Sequence, residues 1–348
     1  MKSSPVRRTL EQRLIDDLRF SLASEGETTS RVERDAARLV VHGIREVGTS
    51  ALTCSRVFGV AYAAPAILVP ANMEGVTSTL VNLARQSLEE GGSFAIQAHR
   101  STPGTLPRRS VELSGGAEVL RTLKDRKVRV DLNHPDVTLY VDLIGDWAYV
   151  YREKLEGPGG LPLSSQWKML AVLDSGPLTI LAAYSMMRRG CMVQLLIPTS
   201  NTIKPFDEET QLLLANKLGK LVARPGYKAF RLDLDQLVKN GKVSRRDPRK
   251  LVRAAAIEFA KKKRFRGIVL GDIGGRLEAS MPYRYSAVEI PIVQPLLGLL
   301  PEDIDQLSRL VGIKVGAVTE QGSSVEEPVQ EGLPPISELE ALVQEVSF

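Results

Sequence analysis

One pattern governs the second half of the chain: a short apolar run, a turn of small residues, a helix-length stretch and another apolar run. Residues 169–173 read as a buried strand, 178–189 as an apolar helix and 192–197 as the next strand. Further strands are expected at 228–232 and 267–270, with a basic helix over 248–263 between them. Apolar runs without alternation suit strands covered on both faces. Strand, turn, helix and parallel strand in repetition predict an open α/β sheet that binds ligands at the carboxyl ends of its strands.

The first half reads differently. Leu10, Leu14, Ile15 and Leu18 recur at helical spacing over residues 7–22, and a second amphipathic helix is expected over 73–90. Strands are expected at 32–41, 64–69, 94–98, 128–132, 137–144 and 147–155, with a short helix over 50–58. A helix over 108–125 is expected to be interrupted by the pair Gly115-Gly116. Short helices alternating with strands imply small α+β units. Gly157-Pro158-Gly159-Gly160 then reads as a linker whose backbone needs freedom.

With 348 residues, 43% of them hydrophobic and 25% charged, the chain can bury more than one core. Two cysteines, Cys54 and Cys191, cannot make a disulfide framework or a thiolate zinc site. Three histidines, His42, His99 and His134, make a histidine metal centre or triad a poor expectation. No segment reaches the roughly 18 uninterrupted apolar residues of a membrane span. Residues 1–8 are polar and basic, unlike a secretory signal, so a cytoplasmic, reducing setting is expected.

Charge is unevenly spread. The net +5 hides a stretch, residues 216–266, with 17 basic residues against Asp233, Asp235, Asp247 and Glu258, a local +13. Residues 317–348 hold seven glutamates and no Lys or Arg, so residues 1–316 carry +12. The basic run reads either as an RNA-backbone surface or as a solvated helix face. At 5% aromatic residues, recognition by stacked bases is disfavoured.

The turn Asp174-Ser175-Gly176-Pro177-Leu178-Thr179 precedes a helix amino terminus, where free N–H groups and the helix dipole suit an anion. The alternative is a plain helix cap. It is neither a Walker A nor a Rossmann glycine pattern, and the Asp174 carboxylate would repel phosphate.

The order of several motifs carries a resemblance. Val128-Arg129-Val130-Asp131-Leu132, His134-Pro135-Asp136-Val137, Ala148-Tyr149-Val150-Tyr151 and Gly157-Pro158-Gly159-Gly160-Leu161-Pro162 together resemble the end of a THUMP domain running into a PP-loop domain. Met186-Met187-Arg188-Arg189-Gly190, Gly271-Asp272 and Gln294-Pro295-Leu296-Leu297-Gly298 continue it, and Lys2-Ser3, Arg7-Arg8 and Val57-Phe58-Gly59-Val60 open it. In this order the chain resembles the tRNA 4-thiouridine sulfurtransferase (ThiI) family over residues 1 to about 315. The resemblance implies α+β ferredoxin-like and THUMP domains followed by an α/β Rossmann-like PP-loop domain. The expected boundaries are 1–70 (ferredoxin-like), 71–160 (THUMP-like), 161–315 (PP-loop) and 316–348, an acidic tail in which residues 336–346 could form a helix.

The chain departs from the family where the chemistry lies. Against the family loop Ser-Gly-Gly-x-Asp-Ser, only Gly176 matches, Thr179 stands in for the last serine, Leu178 replaces the aspartate and Asp174 the first serine. Gly274-Gly275-Arg276-Leu277-Glu278-Ala279-Ser280 lacks both glutamines of the family segment, and Val243-Ser244-Arg245-Arg246 holds no cysteine where the family's sulfur carrier is expected. Family members also carry a strand and Tyr-Gly-Glu ahead of Lys-Ser.

Active members use ATP, with Mg²⁺ accompanying it, to adenylate a uridine oxygen of tRNA before a persulfide displaces AMP. That chemistry needs a polyphosphate cradle and a thiolate. The expectation is a tRNA-binding protein of this type without the full sulfur-transfer chemistry, for which ATP is a weakened cofactor and no residue is assigned catalysis. The rivals are an active ATP-dependent tRNA sulfurtransferase borrowing a sulfur-donor partner's thiol, and a scaffold whose tail engages a basic partner. The nucleotide candidates are Leu173, Asp174, Ser175, Gly176, Thr179, Arg249 and Gly271. The RNA candidates, for a tRNA acceptor end, are Arg100, Arg108, Arg109, Lys127, Arg245, Arg246, Lys261 and Lys262. No membrane partner is expected.

Overall fold

A computed structural model describes residues 4–36, 38–102, 104, 106–204, 206–222, 227–239, 248–273, 290–315 and 343–346. The chain divides into two compact units, Ile15–Pro158 and Met1–Leu14 with Gly159–Phe348. No helix of the described residues is long and apolar enough to cross a membrane.

The chain opens with helix α1 (Ser4–Ser24), followed by β1 (Arg31–Asp35), β2 (Arg38–His42), α2 (Val47–Ser55) and β3 (Tyr62–Ala63). Where one strand was expected over 32–41 there is an antiparallel hairpin, β1 against β2. Its turn holds Ala36 at φ +50°, a left-handed conformation that the sequence does not mark with glycine.

In the first unit β4 (Ile67–Pro70), β5 (Ser93–Arg100), β6 (Arg129–Val130), β7 (Val137–Ile144) and β8 (Trp147–Tyr151) form one sheet in the order β4-β8-β7-β5-β6. Helices α3 (Met73–Ser87) and α4 (Arg108–Thr122) cover one face. Alternate residues point into that core, among them Phe94, Ile96 and Ala98 of β5 and Leu139, Val141 and Leu143 of β7. Helix α4 runs through Gly115-Gly116 without the expected break. A methyl group on Gly115 would lie 2.8 Å from Leu80 Cδ1 and 3.1 Å from Ile96 Cδ1, so the glycine serves close packing. On the opposite face Arg38 forms a 3.1 Å ion pair with Asp142, and the Tyr149 hydroxyl donates to Asp35 at 2.9 Å. These bonds tie the hairpin to the sheet. Strand β9 (Leu155–Glu156) pairs with β3.

The second unit contains the predicted parallel sheet. Its strands are β10 (Lys168–Val172), β11 (Met192–Thr199), β12 (Ala229–Asp233), β13 (Ile268–Val269) and β14 (Ile292–Val293), with β15 (Val343–Val346) at one edge. The order is β14-β13-β10-β11-β12-β15, parallel throughout except for antiparallel β15. Helices α5 (Pro177–Arg188), α6 (Glu208–Gly219), α7 (Leu234–Lys239), α8 (Pro248–Lys262) and α9 (Pro301–Val311) complete it. Leu251, Val252, Ala255, Ala256 and Phe259 of α8 pack on Leu170, Val172, Leu196 and Phe230 of the sheet.

One further expectation is corrected here. Residues 343–346 form a strand, not the end of a helix over 336–346, because the edge of β12 offers unpaired backbone groups that local sequence cannot reveal. The stretch from Gly157 to Gly160, expected as a linker whose backbone needs freedom, runs where the two units divide, with Gly159 and Gly160 at φ +62° and +77°. The Gly157 N–H donates to the Ala61 carbonyl at 2.9 Å, and the Leu161 N–H donates to Arg188 at 2.9 Å. Gly160, at φ +77°, passes so close to the Arg188 carbonyl that a β-carbon would collide with it.

Candidate functional site

Connectivity places the site. β10 leads through α5 to β11 on one side of it, while β13 lies on its other side. The chain direction across the sheet reverses between β10 and β13, and a crevice opens at the carboxyl ends of two such strands. Leu173-Asp174-Ser175-Gly176 leaves β10 there, and Leu270-Gly271-Asp272 leaves β13.

The turn is held from within. The Leu173 N–H donates to the Leu196 carbonyl at 3.0 Å, and the Asp174 N–H donates to the Val172 carbonyl at 2.8 Å. Gly176 adopts φ +56°, ψ −129°, a conformation that side-chain-bearing residues avoid, and Pro177 starts α5 at the position where a missing N–H costs nothing. Gly271 faces the start of this helix. A β-carbon there would come 2.5 Å from the Thr179 nitrogen and 2.7 Å from the Leu178 carbonyl carbon, so only glycine lets β13 end against α5.

Two carboxylates and one guanidinium meet in this crevice. Arg253 of α8 donates through Nε to Asp174 Oδ2 at 2.5 Å and through Nη2 to Asp272 Oδ1 at 2.7 Å. Gln294 donates to the other oxygen of Asp272 at 2.7 Å. Asp174 is 1% exposed and Asp272 8%, so the ion pairs are shielded from water. Burial pushes the Asp174 carboxyl above the ordinary aspartate range, and Asp272 adds to this while Arg253 pulls it down. Burial works against the Arg253 charge, but the two carboxylates outweigh it and hold its pKa above that of a free guanidinium.

The hydroxyls of the turn are directed inward. Thr179 Oγ1 donates to the Val172 carbonyl at 3.0 Å and accepts from the Ser175 N–H at 3.3 Å, and Ser175 Oγ donates to Asp174 Oδ1 at 3.0 Å. A hydroxyl has one proton to give. Both protons are therefore spent on protein acceptors, and the Ser175 N–H is spent as well. As side-chain donors to a polyphosphate these residues do not fit. Space remains in front of Gly176, where an added β-carbon would meet nothing within 4 Å.

The nucleotide candidates are thus brought to one place, except that Arg249 is exposed in the first turn of α8, one helical turn before Arg253. Arg253, Asp272 and Gln294 were not foreseen as site residues. The segments Gly271-Asp272 and Gln294-Pro295-Leu296-Leu297-Gly298 were the available signals for two of them, and nothing local marks Arg253. The anticipated repulsion by Asp174 takes another form, since its charge is turned inward and compensated.

The RNA candidates divide into groups. Arg100 ends β5, donating to the Gly104 carbonyl at 3.4 Å, while Arg108 and Arg109 begin α4. Arg108 is paired with Glu112 at 2.9 Å, and Arg109 is exposed with no ion-pair partner among the described residues. Lys127 follows the far end of α4 at φ +50°, next to β6, which pairs with the beginning of β5. It therefore lies at the other end of the sheet, roughly 20–25 Å away at 3.3 Å per strand residue. Lys261, 3.4 Å from Glu258, and Lys262 close α8. Arg245 and Arg246, with residues 274–280 and the expected cysteine position, lie outside the described residues.

Comparison with known proteins agrees with this architecture. The THUMP domain family matches residues 70–153, and the family described as thiamine biosynthesis protein (ThiI) matches residues 164–326. A probable tRNA sulfurtransferase of Thermococcus kodakarensis is 29% identical over 329 residues, covering 89% of this chain and 84% of that one. One from Methanosarcina mazei is 26% identical, covering 90% and 80%. Among solved structures, a 4-thiouridine synthetase in complex with RNA and bound ATP superposes with a TM-score of 0.74 at 19% identity, covering 100% of this chain and 97% of that one. A Pyrococcus horikoshii protein gives a TM-score of 0.66 at 22% identity, covering 88% and 96%. With a THUMP domain, a reversing parallel sheet and relatives that run the length of both, the chain is a member of the tRNA 4-thiouridine sulfurtransferase (ThiI) family.

Proposed function

We propose that the chain is a cytoplasmic tRNA-binding member of this family that has lost complete ATP-dependent sulfur transfer. The observation that carries this reading is the direction of the loop hydroxyls. Ser175 and Thr179 give their protons to Asp174 and to the Val172 carbonyl, in a turn whose relatives present donors to phosphate. Burial pushes both cysteine thiols up, Cys54 to about 11, so neither is an activated thiolate. In this reading residues 71–160 dock a tRNA acceptor end through Arg100, Arg108 and Arg109, and residues 161–315 keep the PP-loop architecture with a degenerate loop. The test is 4-thiouridine formation with ATP, Mg²⁺ and a sulfur donor, alongside ATP titration. No turnover and no saturation at millimolar ATP are expected, and robust turnover would overturn the reading.

One observation favours the rival, an active enzyme that takes its thiol from a partner protein. Arg253 neutralises Asp174, which removes the repulsion an isolated carboxylate would exert on a nucleotide. Its signature would be sulfur transfer that appears only when a sulfur-donor protein is supplied.

A further inference from the structure

The crevice uses the carboxyl edge of the parallel sheet. The amino edge carries a separate concentration of charge. Lys168 opens β10 and Lys228 immediately precedes β12. The Arg266 N–H donates to the Lys168 carbonyl at 2.9 Å, which brings the basic end of α8 to the same edge. The Lys168 ammonium stands 4.5 Å from the centre of the Phe265 ring. Burial lowers the Lys168 pKa, and the fields of Lys228 and Lys263 lower it further, while Glu345 opposes them. Lys168 therefore stands in the field of two other ammonium groups at this edge.

The counter-charge present is the chain's own. β15 pairs antiparallel with β12, setting Glu345 opposite Phe230, and Glu345 reaches Lys228 at 2.6 Å. Val343 packs against the apolar core that Phe230 and Phe265 share. Among the described residues this attachment is slight: a strand of four residues, and an ion pair about half exposed on each side, where water and salt weaken it. Residues 317–348 carry seven glutamates and no cation, which makes the segment a polyanion.

We propose that Lys168, Lys228 and Lys263 form a second RNA-phosphate site at the amino edge of the sheet, and that the carboxyl-terminal strand covers it in competition with RNA. The proposal rests on the RNA-binding reading above and adds to it a site and its control. Phosphate contacts dominate RNA affinity, so a tethered strand whose Glu345 occupies Lys228 lowers that affinity without touching a base.

The experiment uses the full chain and an acceptor-stem RNA hairpin, with affinity read by fluorescence anisotropy at 100 mM salt. Val343→Asp should release the strand, exposing to hydrogen exchange those amides of residues 229–233 that face β15 and not β11. RNA affinity should then rise about three- to tenfold, even though the substitution adds a negative charge. Lys168→Ala with Lys263→Ala should cancel that gain. Exchange at 229–233 without a change in RNA affinity would overturn the proposal. So would full protection of those amides in both Val343→Asp and Glu345→Lys, since these contacts would then not hold the strand. Binding that needs Arg109 but ignores Val343→Asp would overturn this proposal alone. Absence of RNA binding in every form would overturn the RNA-binding reading and this site with it.

Discussion

Asp174 and Arg253 are 79 residues apart in the chain and meet at 2.5 Å, carboxylate against guanidinium, at the reversal point of the parallel sheet. The same guanidinium holds Asp272, so one cation joins the ends of β10 and β13 to α8. The family loop that this turn resembles in position would begin with serine, a small donor. Here it begins with a charge that must find its partner inside the protein.

Arg253→Met should be strongly destabilising. It leaves Asp174 and Asp272 buried without their shared cation, and breaking a buried pair in this way costs about 3–5 kcal/mol. Urea unfolding of the purified variant measures the loss. A change below about 1 kcal/mol would mean that water or protonation replaces the guanidinium at little cost.

The same pair gives a pH dependence with a definite sign. Burial, with Asp272, raises the Asp174 pKa, so the folded chain holds this proton more tightly than the unfolded chain does. The stability contributed by the group is full below the ordinary aspartate value of about 3.9 and is lost as pH rises through the raised folded value. Asp174→Asn does not titrate. Its stability should therefore improve relative to the native chain as pH rises from 4, which thermal unfolding across a pH series would reveal. A difference independent of pH would contradict the assignment.

The arginines at the start of α4 should differ from the lysine at its far end. Arg109→Ala is expected to weaken tRNA binding at every sequence and to reduce the salt slope by about one, the mark of a lost phosphate contact. Arg108→Ala should have a smaller effect, because Arg108 is already engaged by Glu112. Lys127→Ala, at the opposite end of the sheet, should leave binding to an acceptor-stem hairpin unchanged. Equal losses at Arg109 and Lys127 would indicate a diffuse surface in place of a docking end.

What could be read beforehand follows from the range of each interaction. β10, α5 and β11 were legible because unbroken apolar runs and a turn of small residues are local signals. The β1–β2 hairpin was not, since its turn is made by Ala36 and not by glycine. β15 escaped because Val343-Gln344-Glu345-Val346 has no strand character until β12 supplies the partner. The turn after β10 was legible as a turn but not in its bonding. The turn after β10 was found from its residue types, whereas the inward bonds of Ser175 and Thr179 and the reach of Arg253 depend on packing between distant segments.

The thiols give the most direct check on the proposal that sulfur transfer is lost. Burial raises the Cys54 pKa to about 11 from a free value near 8.5, and Cys191 is also raised by burial. At pH 8 a thiol of pKa about 11 is ionised in roughly one molecule in a thousand, and the thiolate is the reactive form. Folded protein should therefore resist iodoacetamide at pH 8, while urea-unfolded protein should take up label at both Cys54 and Cys191, as mass spectrometry would show. The fold also favours the neutral thiol, so the Cys54 contribution to stability is full below pH 8.5 and is lost as pH rises toward 11. Rapid labelling of either cysteine in the folded chain would restore a candidate sulfur carrier and weigh against a protein that binds tRNA without modifying it.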